Sequence, residues 1–129
     1  MKKGFSMLEL MVVIIIIGVL ASVGITYYGE TVERSRESEA KALLGQIRTA
    51  FLNYQIDHGY PDILPTWEDL GMNDDYKQCD SLDRYFMYSF DKQKVTATRC
   101  INGKGKPPSG PKDYKMYIYM ANGTVYKED

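Results

Sequence analysis

The chain of 129 residues is long enough for one small globular domain with one extended element beside it. A formal charge of −1 argues against a dedicated nucleic-acid binder, and one His with two Cys at no ligand-motif spacing gives no reason to expect a metal or a cofactor. There is no phosphate-binding loop, Ser or Cys nucleophile motif or isolated carboxylate pair, so nothing indicates an enzyme.

The first element is the most unusual. Residues 5–25 carry a single charge, Glu9, and none falls between Leu10 and Ile25. As a helix rising 1.5 Å per residue this stretch is about 30 Å long, the thickness of a bilayer's hydrocarbon core. Glu9 lies a turn inside it, where a carboxylate costs about 1–3 kcal/mol. A plain transmembrane anchor explains the length and leaves Glu9 unexplained. A secretory signal explains Lys2 and Lys3, with residues 19–21 as a small-residue cleavage site. It explains neither the carboxylate nor the helical pattern that continues past the cut.

Lys3-Gly4-Phe5-Ser6, followed by Glu9, resembles the leader of the type IV pilin and pseudopilin superfamily. The resemblance implies that a membrane prepilin peptidase removes residues 1–4 by cutting between Gly4 and Phe5, then methylates the Phe5 amine. It also implies an assembly role for Glu9, which would neutralise the terminal amine of its own or a neighbouring chain and so set the register of stacked helices. Opposite charges in a low-dielectric bundle attract strongly, while either one alone is penalised. Loss of Lys2 and Lys3 takes the formal charge from −1 to about −3. These lysines mark the cytoplasmic side, which places the rest of the chain in the periplasm or outside the cell. That compartment permits disulfides, and pairing Cys79 with Cys100 would close a loop of about twenty residues, worth roughly 3 kcal/mol. Two unpaired buried thiols are the alternative.

From Tyr27 the composition turns charged, yet an apolar stripe continues through Val32, Ala40, Leu43, Leu44, Ile47, Ala50, Phe51 and Tyr54. Steps of three and four predict an amphipathic helix with one face on a core. Gly59 serves as its C-cap and Pro61 stops it, giving one helix over roughly residues 5–57. The chain then divides into a leader (1–4), a membrane or filament-core half-helix (5–26), an amphipathic half-helix (27–58) and a globular head (59–129). Gly18, Gly24 and Gly29 read as close-packing positions in preference to a segment that melts. Family members that melt here often carry Pro at the position of Thr26, and this chain does not.

The stretch Tyr54, Asp57, Tyr60-Pro61 resembles the end of the long helix in major pilins and is read as cap and turn, with His58 as no catalytic base. Thr66-Trp67-Glu68-Asp69 predicts a capping box opening a one-turn helix closed by Gly71, with Trp67 and Leu70 plugging the domain's edge. Strands are predicted at 85–90 (Phe86, Tyr88 and Phe90 on one face), 94–99 (Val95 and Ala97 opposite Thr96 and Thr98) and 114–120 (Met116, Ile118 and Met120 opposite Tyr117 and Tyr119). A hairpin turn near Lys92 joins the first two. Asn122-Gly123 predicts a two-residue hairpin into a last strand at 124–126. The fold class is α+β, one long helix laid on a four-stranded antiparallel sheet, which also resembles the pilin fold. Between the hairpins, residues 101–112 read as a surface loop whose Lys104, Lys106 and Lys112 could touch DNA or an anionic surface, the less favoured reading.

The resemblance implies a structural subunit of a type IV pilus, for attachment, twitching motility or uptake. Its partners would be membrane lipid before assembly, the peptidase, an inner-membrane platform driven by a cytoplasmic ATPase, and other copies of itself in a helical filament on the cell surface. The alternative is a major pseudopilin of type II secretion, confined to a periplasmic pseudopilus. Such pseudopilins carry a calcium site that Asp91, Asp113 and Asn122 do not assemble. Pilins with a C-terminal disulfide place it later than Cys79 and Cys100, so each subtype is departed from once. Electron conduction through Tyr27, Tyr28 and the other tyrosines is a third idea, although β-propensity already accounts for most of them. Outside the family stands a simple membrane-anchored or secreted binding domain, starting at Met1 or near Ser22.

Overall fold

In the computed structural model, which describes residues 3–79, 84–101 and 113–129, one helix runs nearly half the chain. This helix, α1, spans Met7–His58, 52 residues and about 78 Å at the standard rise. It starts two residues later than the apolar pattern predicts, because Ser6 is held extended as its N-cap. The Ser6 hydroxyl oxygen accepts from the Leu8 N–H at 3.2 Å, and the Glu9 carboxylate accepts from the Ser6 N–H at 2.9 Å. This reciprocal box satisfies donors that the first turn would otherwise leave open. At the far end Gly59, at φ +78°, donates to the Gln55 carbonyl at 2.8 Å. The helix is unbroken through Gly18, Gly24 and Gly29.

Four strands follow in a meander, β1 (Phe86–Phe90), β2 (Lys94–Arg99), β3 (Lys115–Tyr119) and β4 (Val125–Glu128), each antiparallel to the next. Ala40, Leu44, Ile47 and Phe51 of α1 are fully buried against Val95, Ala97, Met116 and Ile118 on one face of the sheet. Full burial of such side chains contributes about 1.5–3 kcal/mol each. The predicted stripe and strand faces therefore meet as one core.

Strand β1 lies at the sheet's edge, and an aromatic layer covers it. Trp67 is buried, packing edge-on to Phe90 at 4.9 Å and stacking on Tyr76 at 5.8 Å. The capping box at Thr66 is present: its N–H and hydroxyl both donate to Asp69 Oδ2 at 2.7 Å. What it opens is a hydrogen-bonded turn rather than a helix. Met72 N–H returns to the Trp67 carbonyl and Gly71, at φ +69°, to that of Glu68, which closes the turn after one round. A short 3-10 helix, Asp74–Lys77, follows on its own Asn73 cap and was not anticipated.

The β3–β4 connection departs from the expected two-residue hairpin. The last paired residues are Ile118 and Val125, and the Gly123 N–H bonds to the Tyr119 carbonyl at 3.1 Å, so the loop is wider. A tertiary contact is the cause. Arg48 of α1 donates from Nε to the carbonyls of Tyr119 (3.2 Å) and Met120 (3.1 Å) and from Nη2 to Met120 (2.7 Å). Met120 is buried on the inward side, as strand alternation predicts, and its carbonyl is taken up by Arg48. A Cβ on Gly123 (φ +69°) would stand 3.2 Å from Arg48 Cζ. Gly123→Ala should therefore lower stability by about 1–3 kcal/mol in urea unfolding, through backbone strain and displacement of the arginine.

Cys79 and Cys100 are joined, with Cα atoms 5.6 Å apart across 21 positions. Replacing both by Ser should cost roughly 3 kcal/mol in the same measurement, because the unfolded chain gains the freedom of an open loop. Lys104, Lys106 and Lys112 lie outside the described residues.

Candidate functional site

The apolar half of α1 packs against nothing in its own chain. Every residue from 5 to 25 is exposed, Phe5 at 90% and Ile25 at 77%. An 18-residue window there averages a hydropathy of 2.7, and among the described residues this is the one helix long and apolar enough to cross a membrane. A soluble domain rarely leaves more than a few hundred Å² of contiguous apolar surface bare, so this cylinder requires lipid or other helices around it.

Gly4 and Phe5 precede the cap in the non-helical start of the chain. Glu9 turns its carboxylate back to the Ser6 N–H, one residue from the Phe5 nitrogen. A negative group in the first turn also suits the positive end of the helix dipole. Gly4 and Phe5 are thus exposed ahead of the helix, and the Glu9 carboxylate stands one residue from the Phe5 nitrogen.

About 36 Å further along α1, at 1.5 Å per residue, a second charged cluster ties the helix to the head. The Arg99 side chain is fully buried, its Nε donating to Glu33 Oε1 at 2.7 Å and its Nη2 to Glu33 Oε2 at 3.1 Å. Arg99 Nη1 donates to the carbonyls of Tyr85 (2.7 Å) and Cys100 (3.0 Å), and the Tyr114 hydroxyl donates to Glu33 Oε1 at 2.7 Å. Burial pushes the Glu33 carboxyl up, but the hydrogen bonds from Arg99 and Tyr114 and the charges of Arg99 and Arg36 outweigh it, leaving the group below its ordinary range. Burial, then the bond to Glu33, drives the Tyr114 hydroxyl well above its own. The cluster joins the end of β2, the disulfide and the segment of α1 just past the apolar half. Sequence reasoning missed it.

Of the other polar candidates, Asp91 Oδ1 accepts the N–H groups of Gln93 (2.7 Å) and Lys94 (2.9 Å), closing the β1–β2 turn near Lys92. Asn122 Oδ1 accepts that of Thr124 at 3.0 Å. Among the described residues no group of three His, Cys, Asp or Glu side chains is placed to hold a metal. His58 stacks on Tyr54 with ring centroids 4.3 Å apart, at the end of α1.

Residues 1–25 match the family model described as the prokaryotic N-terminal methylation motif. Over its N-terminal half the chain is 45% identical to the fimbrial protein EcpC of Eikenella corrodens across 58 residues, 45% of this chain and 38% of that one. It is 40% identical to the type IV major fimbrial protein FimA of Dichelobacter nodosus across 57 residues (44% and 36%). It is 39% identical to the type IV major pilin protein PilE1 of Neisseria gonorrhoeae across 59 residues (46% and 36%). The matched stretch spans a little over a third of each relative's length, and none of these names denotes an enzyme.

Proposed function

We propose that this protein is the structural subunit of a type IV pilus, made as a membrane-anchored precursor and polymerised through the apolar half of α1. The observation that carries the reading is that half-helix itself, bare over its whole length and continuous with the helix that builds the head's core. The methylation motif and the likeness to fimbrial and pilin proteins support it from a separate direction. Lipid surrounds the span first, with the head outside the cytoplasmic membrane. A prepilin peptidase cuts between Gly4 and Phe5 and methylates the Phe5 nitrogen. An ATP-driven inner-membrane platform extracts the subunit, and lipid is exchanged for the helices of other copies.

The chemistry in place supports the steps that act on this chain's own residues. The four-residue leader precedes the cap, so its removal leaves α1 intact. Glu9, next to the new amine, offers the carboxylate that neutralises it within a chain or between neighbours. Arg99 and Tyr114 of the head both bond Glu33 of α1, which fixes the head to the helix, so that a pull on one moves the other.

The test is mass spectrometry of the N-terminal peptide in material sheared from cells. A peptide starting at methylated Phe5 and abundant in the sheared fraction is the expected result. The same peptide confined to the envelope would replace the pilus with a secretion pseudopilus. A start at Met1 or Ser22 would overturn the reading.

A further inference from the structure

The sheet face turned away from α1 carries a cluster that the core does not use. Strand alternation sends Tyr117 and Tyr119 of β3 to that side together with Tyr126 of β4, the register partner of Tyr117. Their rings close a triangle, with centroids 5.6 Å apart for Tyr117–Tyr119, 5.6 Å for Tyr117–Tyr126 and 5.7 Å for Tyr119–Tyr126. Each ring braces the other two, so the surface is ordered before anything binds. Tyr119 and Tyr126 are still 38% and 40% exposed, and among the described residues no protein group hydrogen-bonds the three hydroxyls.

The register extends this platform across the whole sheet. Ser89 pairs with Thr96, Thr96 with Tyr117 and Tyr117 with Tyr126, which aligns four hydroxyl-bearing side chains in one row. Neighbours in the row are one strand apart, about 4.8 Å, close to the length of one pyranose unit. The charges on this face nearly balance. Lys94, whose Nζ is 5.2 Å from the Tyr117 ring centre, and Lys115 stand against Glu128 and the turn carboxylate of Asp91. A single-stranded nucleic acid requires a continuous basic track beside its stacking rings, and among the described residues this face carries none. A lipid surface requires a broader apolar face than three hydroxylated rings provide.

We infer that the Tyr117, Tyr119 and Tyr126 platform binds an uncharged polysaccharide, sugar rings stacking on the tyrosines while their hydroxyls bond along the Ser89–Thr96 row. The match is one of shape and polarity: a pyranose has an apolar C–H face and a rim of hydroxyls, and the platform has an aromatic face and a hydroxyl rim. In a fibre with α1 toward the axis this face points outward and repeats along the length, so a weak single contact becomes a strong multiple one. Only that amplification rests on the pilus reading; binding by a single chain does not.

The alternative role for these rings is cross-strand stabilisation of the sheet. The test therefore uses the full chain in a detergent without a sugar headgroup, titrated with cellohexaose and chitohexaose and followed by saturation-transfer NMR. At least one hexasaccharide should bind, with an affinity on the order of millimolar. Tyr119→Thr and Tyr126→Thr keep strand propensity, and each should weaken binding by about tenfold with little change in Tm. Met87→Thr, on the same face two strands from the triangle, should bind as the parent does. Absence of hexasaccharide binding by the parent chain, or unchanged affinity in both tyrosine variants, would overturn the proposal. So would preferential binding of oligothymidylate. Loss of sheared filaments in the tyrosine variants without any sugar binding by the parent would assign the face to a contact between copies. A parent chain that binds sugar but forms no filaments keeps this inference and removes the pilus reading.

Discussion

Glu9→Gln should leave cleavage after Gly4, Phe5 methylation and membrane insertion intact, and should abolish filaments in the sheared fraction. Glutamine is the informative replacement because Glu9 has two roles. In the precursor its carboxylate closes the capping box on Ser6, and an amide oxygen can do the same. Glutamine therefore keeps the cap while removing the charge. After cleavage the Phe5 amine would lie within a bundle of apolar helices, where an uncompensated charge costs about 3–5 kcal/mol. Repeated at every subunit along a polymer, that penalty prevents growth. Glu9→Ala also loses the cap, a further 0.5–2 kcal/mol or so at the helix start. Normal filaments from Glu9→Gln but none from Glu9→Ala would mean that the cap, and not the charge, is what assembly needs. Immunoblots for processing and mass spectrometry for methylation separate failed maturation from failed polymerisation.

The parts of this molecule that were legible in sequence are those governed by local pattern. Ala40, Leu44, Ile47 and Phe51 recur at helical steps, and Val95, Ala97, Met116 and Ile118 alternate along strands, so both faces of the core could be read before they met. Glu9 stood out as the sole charge in an apolar run. Tertiary contacts decided the rest. The turn at Asn122-Gly123 has hairpin composition, but Arg48, more than seventy residues earlier, holds the Tyr119 and Met120 carbonyls and widens it. The capping box at Thr66 and the closure at Gly71 stand where the pattern puts them, and only the turn between them is not helical. The Glu33–Arg99 pair is the instructive miss. Arg99 has the same parity as Val95 and Ala97, and Glu33 extends the Ala40 and Leu44 stripe by a further two turns. Both positions pointed inward, but their charge made solvent the default reading.

That pair also carries the largest expected effect on the head. Glu33→Gln should lower stability by about 3–5 kcal/mol, because it leaves the guanidinium of Arg99, with no exposed side-chain surface, facing a neutral amide. Arg99→Ala should cost a similar amount by a different route, since it also strips the donor from the carbonyls of Tyr85 and Cys100. Replacing both residues with apolar side chains of similar length, Glu33→Leu with Arg99→Met, should be less damaging than either single change, because no charge is then left buried alone. A double-mutant cycle in urea measures this; a double variant as unstable as the sum of the singles would show that the two do not act as a pair. The pH dependence adds an independent readout. The folded-state pKa of Glu33 is depressed below its unfolded value of about 4.3. Its contribution is therefore fully present above that unfolded pKa and is lost as the pH falls through the folded one. Glu33→Gln should flatten the stability profile below about pH 4.3 while leaving its slope near neutrality unchanged. A loss of stability in that variant without the flattening would assign the effect to packing. Because Glu33 lies just beyond the apolar half of α1 and Arg99 adjoins Cys100, weakening this joint should also loosen the head from α1, visible as faster proteolysis of the head.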